Sequence, residues 1–535
     1  MGILRKIDTA IQTFRKGGIG GVFRHGLFRI STLLEEHRLR KWMGRHGPLN
    51  DGARQNIRSQ IASMKTRPLI SIILPVFSVD DIWIRKCVDS ILAQIYENWE
   101  LCIADDCSPH LDVRPLLSEY AETDKRIKLH FRETNGHISA ASNSALDLAT
   151  GVFSILLDHD DLLTEDAVYW VAREIDLHPD VSMIYSDEDM IDAEDRHYSP
   201  KFKPDWSPDL FYSLNLITHL SAYRTEVLKK IGGFRLGAEG SQDYDLALRV
   251  IEHVVPDQIR HIPRILYHWR AIEGSVALSP DEKPYAHERA RESIRLHFER
   301  RGVKVIVEPS VWQLHRVKYL LPDPEPRIEV ISLSEVNNTA ARLNALVRNS
   351  TASVICFIES DLQSYTKDQL MEIAGFAFQP DIGAVGGRIV DEYRTVVDGG
   401  LIIGANGLID VAHKGFPADV PGYLYRNQVI GNYSAVSLSC MAMRREVFDD
   451  MGGFDEKNFP NALFDVDLCL RIRESGLRIV FNPNIEMTAK KIMSRPQPSS
   501  AEEKNFREKW GSYIENDPSY NPNLSNKNAR FLIDI

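Results

Sequence analysis

This sequence predicts an α/β fold built on a parallel sheet, on three observations. From residue 69 to 163, apolar strand-like runs alternate with segments of helical apolar spacing. That alternation marks a parallel sheet with helices on both faces. One run, Phe153 to Leu157, leads straight into Asp158, Asp160 and Asp161. Carboxylates then gather at a strand's C-terminal end, where open α/β sheets bind ligands. Finally, the later chain repeats the earlier one in order, the signature of a duplicated unit.

The elements follow in turn. Leu69 to Phe77 (LISIILPVF) is a buried strand that stops at Pro75. Ile84, Val88, Ile91, Leu92 and Ile95 recur at helical spacing. Trp99 to Ala104 is a second strand, ending at Asp105 and Asp106, and a helix through Leu116, Leu117 and Tyr120 precedes a strand at Ile127 to Phe131. Asn135-Gly136 is a turn, and the helix Ala140 to Ala149 stops at Gly151. No GxGxxG occurs, so a dinucleotide site of the NAD type has no support. Beyond the acid-bearing strand lie IYSDED (184–189), FKPDW (202–206) and IGGF (231–234). In GSQDYDLALR (240–249) the Asp pair opens a helix, where the dipole favours a carboxylate. Helix capping is the alternative role for Asp243 or Asp245. HIPRILYHWR (261–270) is a further strand.

Composition narrows the classes. At 535 residues the chain holds more than one domain, and its 43% hydrophobic content supports sizeable cores. A net charge of −11 argues against nucleic-acid partners. No stretch reads as a transmembrane helix or secretory leader. The six cysteines form no CxxC pair and no zinc spacing, which points to reduced thiols in a cytoplasmic protein. The first fifty residues carry ten Lys/Arg against three acids, with Ile3, Leu4, Ile7, Ile11 and Phe14 at helical spacing. This is either an amphipathic helix on an anionic membrane, at the inner face of the cell membrane, or an arm packed on its own protein.

Closely packed acids repel one another and resist ionisation. A divalent cation, Mg²⁺ or Mn²⁺, would relieve the repulsion at Asp158, Asp160 and Asp161. A polar strand end facing water is the alternative.

Together the motifs ISIILPVF, LCIADDCS, FSILLDHDD, IYSDED, FKPDW, IGGF, GSQDYDLALR and YHWR, in this order across residues 69–277, resemble an inverting family 2 glycosyltransferase with the GT-A fold. Bacterial enzymes of O-antigen and other cell-surface polysaccharide synthesis are the nearest likeness. The resemblance implies a nucleotide-sugar donor, UDP- or dTDP-linked, and a glycan or lipid-linked saccharide acceptor. It places Pro75, Val76, Phe77, Asp105, Asp106, Asn135, Asn143, Asp158 and Arg270 around the nucleotide sugar. It gives Asp158, Asp160, Asp161 and His268 to a divalent cation, with a structural hydrogen bond the other role for His268. Asp243 becomes the catalytic base. Two positions depart from the family pattern: Gln242 replaces a common Glu, and Ser142 a common Arg. Diphosphate contact then falls to Arg270 or the Gly274-Ser275 loop. Tyr185, Trp206 and Trp269 could stack on sugar rings, or simply be buried.

Arg126-Ile127 aligns with Arg327-Ile328, and at the same offset of 201 Asn143 meets Asn344, Asp158 meets Glu359 and Asp160 meets Asp361. Further on, Tyr223–Phe234 meets Met443–Phe454 and Asp243 meets Asp465. Nothing matches residues 69–125. The expected layout is a helical basic arm (1–66), a catalytic GT-A domain (67–320), a truncated GT-A-like copy without catalysis (327–495) and an irregular tail (496–535). The copy would cover its bare edge against the first domain or a partner, serving as scaffold, acceptor-binding surface or dimer contact in a homo-oligomer. Two other functions compete with this one. A non-catalytic sugar-nucleotide or glycan binder suits the truncated copy but not the complete first one. A haloacid-dehalogenase-type phosphatase would need Thr or Val where Leu162 stands.

Overall fold

The structure is a computed structural model that describes residues 37–109, 112–272, 284–333, 338–362, 365–490 and 495–535. The apolar pattern between Ile3 and Phe14 and the Gly274-Ser275 loop lie outside the described residues.

The first half holds β1 (Ile70–Val76), β2 (Trp99–Asp105), β3 (Ile127–Phe131), β4 (Phe153–Leu156), β5 (Leu162–Leu163), β6 (Met183–Ile191), β7 (His197–Lys201), β8 (Ser221–Arg224) and β9 (Ile259–Arg270). They form one sheet in the order β3-β2-β1-β4-β8-β6-β9-β5, with β7 on β6. The β3-β2-β1-β4 part is parallel. Every residue of β1 and β2 is buried. This is why those strands read as unbroken apolar runs rather than alternating ones.

Past β4 the sheet is mixed, which corrects the expectation of a purely parallel one. β8 runs antiparallel to both β4 and β6. Its first residue, Ser221, pairs with Leu156 and Tyr185, so β8 enters from the C-terminal edge of its neighbours. The preceding segment, 214–220, is thereby delivered to the acid-bearing edge.

The second half repeats this arrangement. Val354–Glu359 pairs antiparallel with Cys440–Arg444, which pairs antiparallel with Ile382–Val390, which pairs in parallel with Arg478–Thr488. These take the places of β4, β8, β6 and β9. Ile328–Leu333 lies parallel beside Val354–Glu359, in the position of β1. The sequence offset matched it to β3, and the sheet corrects that match. A strand that leads directly into the helix Ala340–Asn349 and on to the next strand settles against its immediate partner.

The halves share buried contacts. Arg478 reaches Asp209 at 2.8 Å, and Asn432 donates to the same carboxylate at 2.7 Å. The tail is more ordered than expected. Its helix Ser500–Glu515 starts with a capping box, Ser499 with Glu502, legible in the sequence as S-x-x-E. Beyond that helix Asn521 donates to both oxygens of Asp187 and to the Lys203 carbonyl in the first half. The described part of the N-terminal arm packs on the protein: Trp42 meets Phe202 edge-on, and Arg38 donates to the Ile533 carbonyl at 2.6 Å. No helix among the described residues is long and apolar enough to cross a membrane.

Candidate active site

The loops after β1 and β2 place Ser78 and Cys107 in the left-handed region, and the helix that follows β3 opens with His137 there. Such backbone is costly and persists where surroundings over-determine it. These loops carry the expected nucleotide pocket. Pro75 and Val76 end β1 and are buried, while Phe77 is 44% exposed. The two acids after β2 differ. Asp105 is buried and spent, accepting from Arg114 at 2.8 Å and from the Ser108 amide. Asp106 accepts on Oδ1 from Arg132 at 2.8 Å and from the Gly136 amide at 2.9 Å. Its Oδ2 is buried with no partner among the described residues. Asn135 donates to the Asp106 carbonyl and fixes the loop. A buried, unpaired carboxylate oxygen is expensive unless a ligand N–H or hydroxyl completes it.

Asn143, expected beside the nucleotide sugar, is engaged with the protein's own backbone. Its amide donates to the Phe234 carbonyl at 2.8 Å and accepts from the Phe234 amide at 2.7 Å. Both ends of the side chain are therefore engaged in tying the helix His137–Leu148 to the Gly232-Gly233-Phe234 turn. Gly233 has φ +66°, and a Cβ there would lie 2.3 Å from Asn143 Oδ1. Asn344 makes the same pair of bonds to Phe454 in the second half, both at 2.9 Å.

The acid cluster is held from β9. The Tyr267 hydroxyl donates to Asp161 Oδ2 at 2.5 Å and accepts the Asp158 amide at 3.2 Å. The Arg270 amide donates to Asp161 Oδ1 at 2.7 Å, and its Nε to the Asp160 carbonyl at 2.8 Å. The Arg270 guanidinium is fully buried, pairs with Asp195 at 2.6 Å and lies over Trp83. It rivets the Asp160-Asp161 turn, a structural role beside its expected place on the diphosphate. Burial first, then the charges of Asp160 and Asp158, push Asp161 well above the carboxylate range. The Asp160 carboxylate has no hydrogen-bond or ion-pair partner among the described residues and is half-buried.

Among the described residues two sets of possible metal donors each fall within 4.8 Å: Asp158, Asp161 and His219, and Asp189, His197 and His268. The expected cation set is thus divided. The β6–β9 register pairs His268 with Asp189. Asp189, fully buried, accepts from His268 at 2.5 Å and from His197 at 2.8 Å. Burial opposes the Asp189 charge, but the two imidazoles outweigh it and lower its pKa. His219, which sequence reasoning missed, stacks flat on Tyr267 at 4.4 Å. Burial lowers it to about 3, so its imidazole is neutral, the form that binds metals. Three carboxylates crowded at one strand end, one without a counter-charge, suit a hard divalent cation.

Asp243 lies in the first turn of the helix Gln242–Val250 and accepts from Asn215 at 2.7 Å. Burial raises its pKa, against its own helix amides and Asn215. Its neighbour Asp245 is consumed by Arg235 at 2.6 Å and Arg249 at 2.9 Å. Arg249 in turn holds the Ile231 and Gly233 carbonyls. The helix thus presents one carboxylate held by two arginines and one with no cation paired to it among the described residues. In the second half Asp467 and Arg471 repeat the scaffold pair at 2.8 Å, but both oxygens of Asp465, the counterpart of Asp243, accept from Arg495 Nη2, at 2.7 and 2.9 Å. Of the aromatics, Tyr185 is wholly buried against His261, with its hydroxyl on the Pro204 carbonyl, and cannot stack on a sugar.

A sheet whose parallel half ends in a strained loop set, whose fourth strand ends in acids and whose facing helix offers a lone carboxylate defines the GT-A class of glycosyltransferase folds. Residues 71–232 match the model of glycosyl transferase family 2, and residues 279–512 that of glycosyltransferase like family 2. The chain belongs to glycosyltransferase family 2 and carries two such segments. It is 33% identical over 88% of its length to an uncharacterized protein of Sinorhizobium fredii, and 28% identical over 87% to the O-antigen biosynthesis protein RfbC of Myxococcus xanthus. It spans 59% and 41% of those relatives' lengths. Among solved structures it resembles a Staphylococcus aureus TarS fragment in complex with UDP-GlcNAc, with 21% identity, 43% of this chain, 66% of that one and a TM-score of 0.36.

Proposed function

We propose that the chain transfers a sugar from a nucleotide-diphospho-sugar, UDP- or dTDP-linked, to a saccharide or lipid-linked acceptor with inversion, in cell-surface polysaccharide synthesis. The observation that carries this reading is the division of labour on the helix Gln242–Val250. Asp245 is locked between two arginines, while Asp243 meets the Asn215 amide and its own helix N–H groups, has no cation paired to it among the described residues and has its pKa raised by burial. A carboxylate so poised can take a proton from an acceptor hydroxyl as that oxygen attacks the anomeric carbon. Asp106 Oδ2, buried and unpaired, suits an N–H of the base or a ribose hydroxyl. Asp158, Asp160 and Asp161 would hold a divalent cation, Mn²⁺ or Mg²⁺, with His219 beside them. Such a cation, when bound, neutralises charge on a diphosphate leaving group. The name of the Myxococcus xanthus relative supports the polysaccharide context.

The test is a screen of UDP-, dTDP- and GDP-sugars for nucleotide release with Mn²⁺, Mg²⁺ or EDTA. Metal-dependent turnover of one donor class supports the reading. Nucleotide binding with no turnover on any saccharide acceptor favours a binding protein instead. We place the enzyme at the cytoplasmic side of the cell membrane, where residues 1–36 would supply a basic contact. Flotation with anionic liposomes, lost in a variant starting at Lys65, tests that placement.

A further inference from the structure

One short segment ties the two sides of the site together. Leu216 and Ile217 are buried in the core, and the Thr218 hydroxyl donates to the Asn215 carbonyl at 2.8 Å. This fixed turn displays Asn215 at one end and His219 at the other. His219 lies with Asp158 and Asp161, and Asn215 lies on Asp243.

The orientation of the Asn215 amide is dictated by its partner. An ionised carboxylate can only accept, so Nδ2 must face Asp243, as observed at 2.7 Å. Oδ1 is left on the other side, buried and without a partner among the described residues. A buried amide oxygen beside the proposed base, facing away from its one hydrogen-bonded neighbour, suits a hydroxyl or N–H from outside.

From this we infer that Asn215 is the positioning residue of the reaction: its Nδ2 holds Asp243 aimed at the acceptor oxygen, and its Oδ1 receives a hydroxyl of the bound saccharide. The inference rests on Asp243 being the base. The hydrogen bond also favours the carboxylate form, since Asn215 opposes the upward push of burial on Asp243. The other titratable groups set beside Asp243 are Tyr223 of β8 and Tyr244, both raised by burial and neutral at ordinary pH.

The experiment uses the full chain, the UDP- or dTDP-sugar that wild type turns over fastest, and Mn²⁺. Asn215→Ala, the near-isosteric Asn215→Asp and Asp243→Asn are compared for kcat, for pH profile and for UDP affinity by calorimetry. Asn215→Ala should lower kcat about ten- to a hundredfold, the scale of a misplaced catalytic group, with UDP affinity unchanged. The acid limb of its kcat/KM profile should move to higher pH. Asn215→Asp, which cannot donate to an ionised Asp243, should move that limb further still. If Asp243→Asn is inactive while both Asn215 variants keep the wild-type kcat and pH profile, the inference is overturned and the base assignment stands. If Asp243→Asn keeps its turnover, the base assignment falls and this inference with it.

Discussion

Asn143→Ala separates a structural clamp from a ligand contact. The substitution removes two hydrogen bonds, of 2.8 and 2.7 Å, to the backbone of Phe234. Each is worth about 1 kcal/mol net, and a buried backbone group left unpaired adds about 1–3 kcal/mol. Phe234 is 5% exposed, so water does not readily replace the lost partner. Two bonds and one such group sum to about 3–5 kcal/mol. For a unit of this size each kcal/mol lowers Tm by about 2–4 °C, which predicts a fall of roughly 6–20 °C. Asn143→Asp keeps the acceptor for the Phe234 amide but sets an oxygen against the Phe234 carbonyl, and should lie at least as low. Asn344→Ala should destabilise the second half comparably, through the same two bonds to Phe454. Thermal unfolding gives the stabilities, and calorimetry with UDP and Mn²⁺ gives the affinities. A lowered Tm with UDP affinity unchanged is the expected result. A wild-type Tm combined with a tenfold loss of UDP affinity would refute the clamp and return Asn143 to the nucleotide pocket.

Three further outcomes follow from other parts of the molecule. Asp160→Ala should weaken Mn²⁺-dependent UDP binding at little cost in stability, because its carboxylate has no partner among the described residues, whereas Asp161→Ala should also lower Tm through the loss of its bonds to Tyr267 and the Arg270 amide; both are read by calorimetry and thermal unfolding. Asp361→Ala with Asp465→Ala should leave sugar transfer largely intact in a product assay, since Asp465 is already bound by Arg495, and loss of one of two product linkages would make the second half an active site. Burial opposes the charge on His261, but Asp187 and Asp205 on either side outweigh it and raise it to about 9; because the folded value is raised, the stabilisation is full below the unfolded histidine value and is lost as pH rises through about 9, so Tm should fall across that window in wild type and fall less in His261→Gln.

Much of the fold was legible because its physics is local. Fully buried parallel strands show as unbroken apolar runs, as at Ile70–Val76, and the repeat exposed the second half. What sequence could not show was register. Ile328–Leu333 aligned with β3 but lies where β1 does, a choice made by strand pairing. The site was read in kind more than in detail. The acid cluster and Asp243 were visible as motifs. Asn143, Asp105, Arg270 and Asp245 carry equally polar side chains in equally suggestive places, yet each is spent inside the protein. No sequence signal separates a free carboxylate from one held by arginines, even where the arginine is as near in the chain as Arg249 is to Asp245. Asn215 and His219 were missed because the SLNLITHL stretch has no motif at all, and their roles arise from β8 entering the sheet at the acid-bearing edge. Tyr267 was available in YHWR, and its hydroxyl was the signal to weigh. The tail helix was missed although Ser499 and Glu502 spell its capping box.

The most direct test of the central claim is the turnover of Asp243→Asn beside Asp245→Asn, with the donor that wild type prefers and Mn²⁺ present. The account predicts that Asp243→Asn folds with near wild-type Tm, binds UDP normally and transfers sugar at least about a hundredfold more slowly, while Asp245→Asn loses stability because Arg235 and Arg249 lose their partner. Near-normal turnover in Asp243→Asn, with turnover abolished in a well-folded Asp245→Asn, would contradict it.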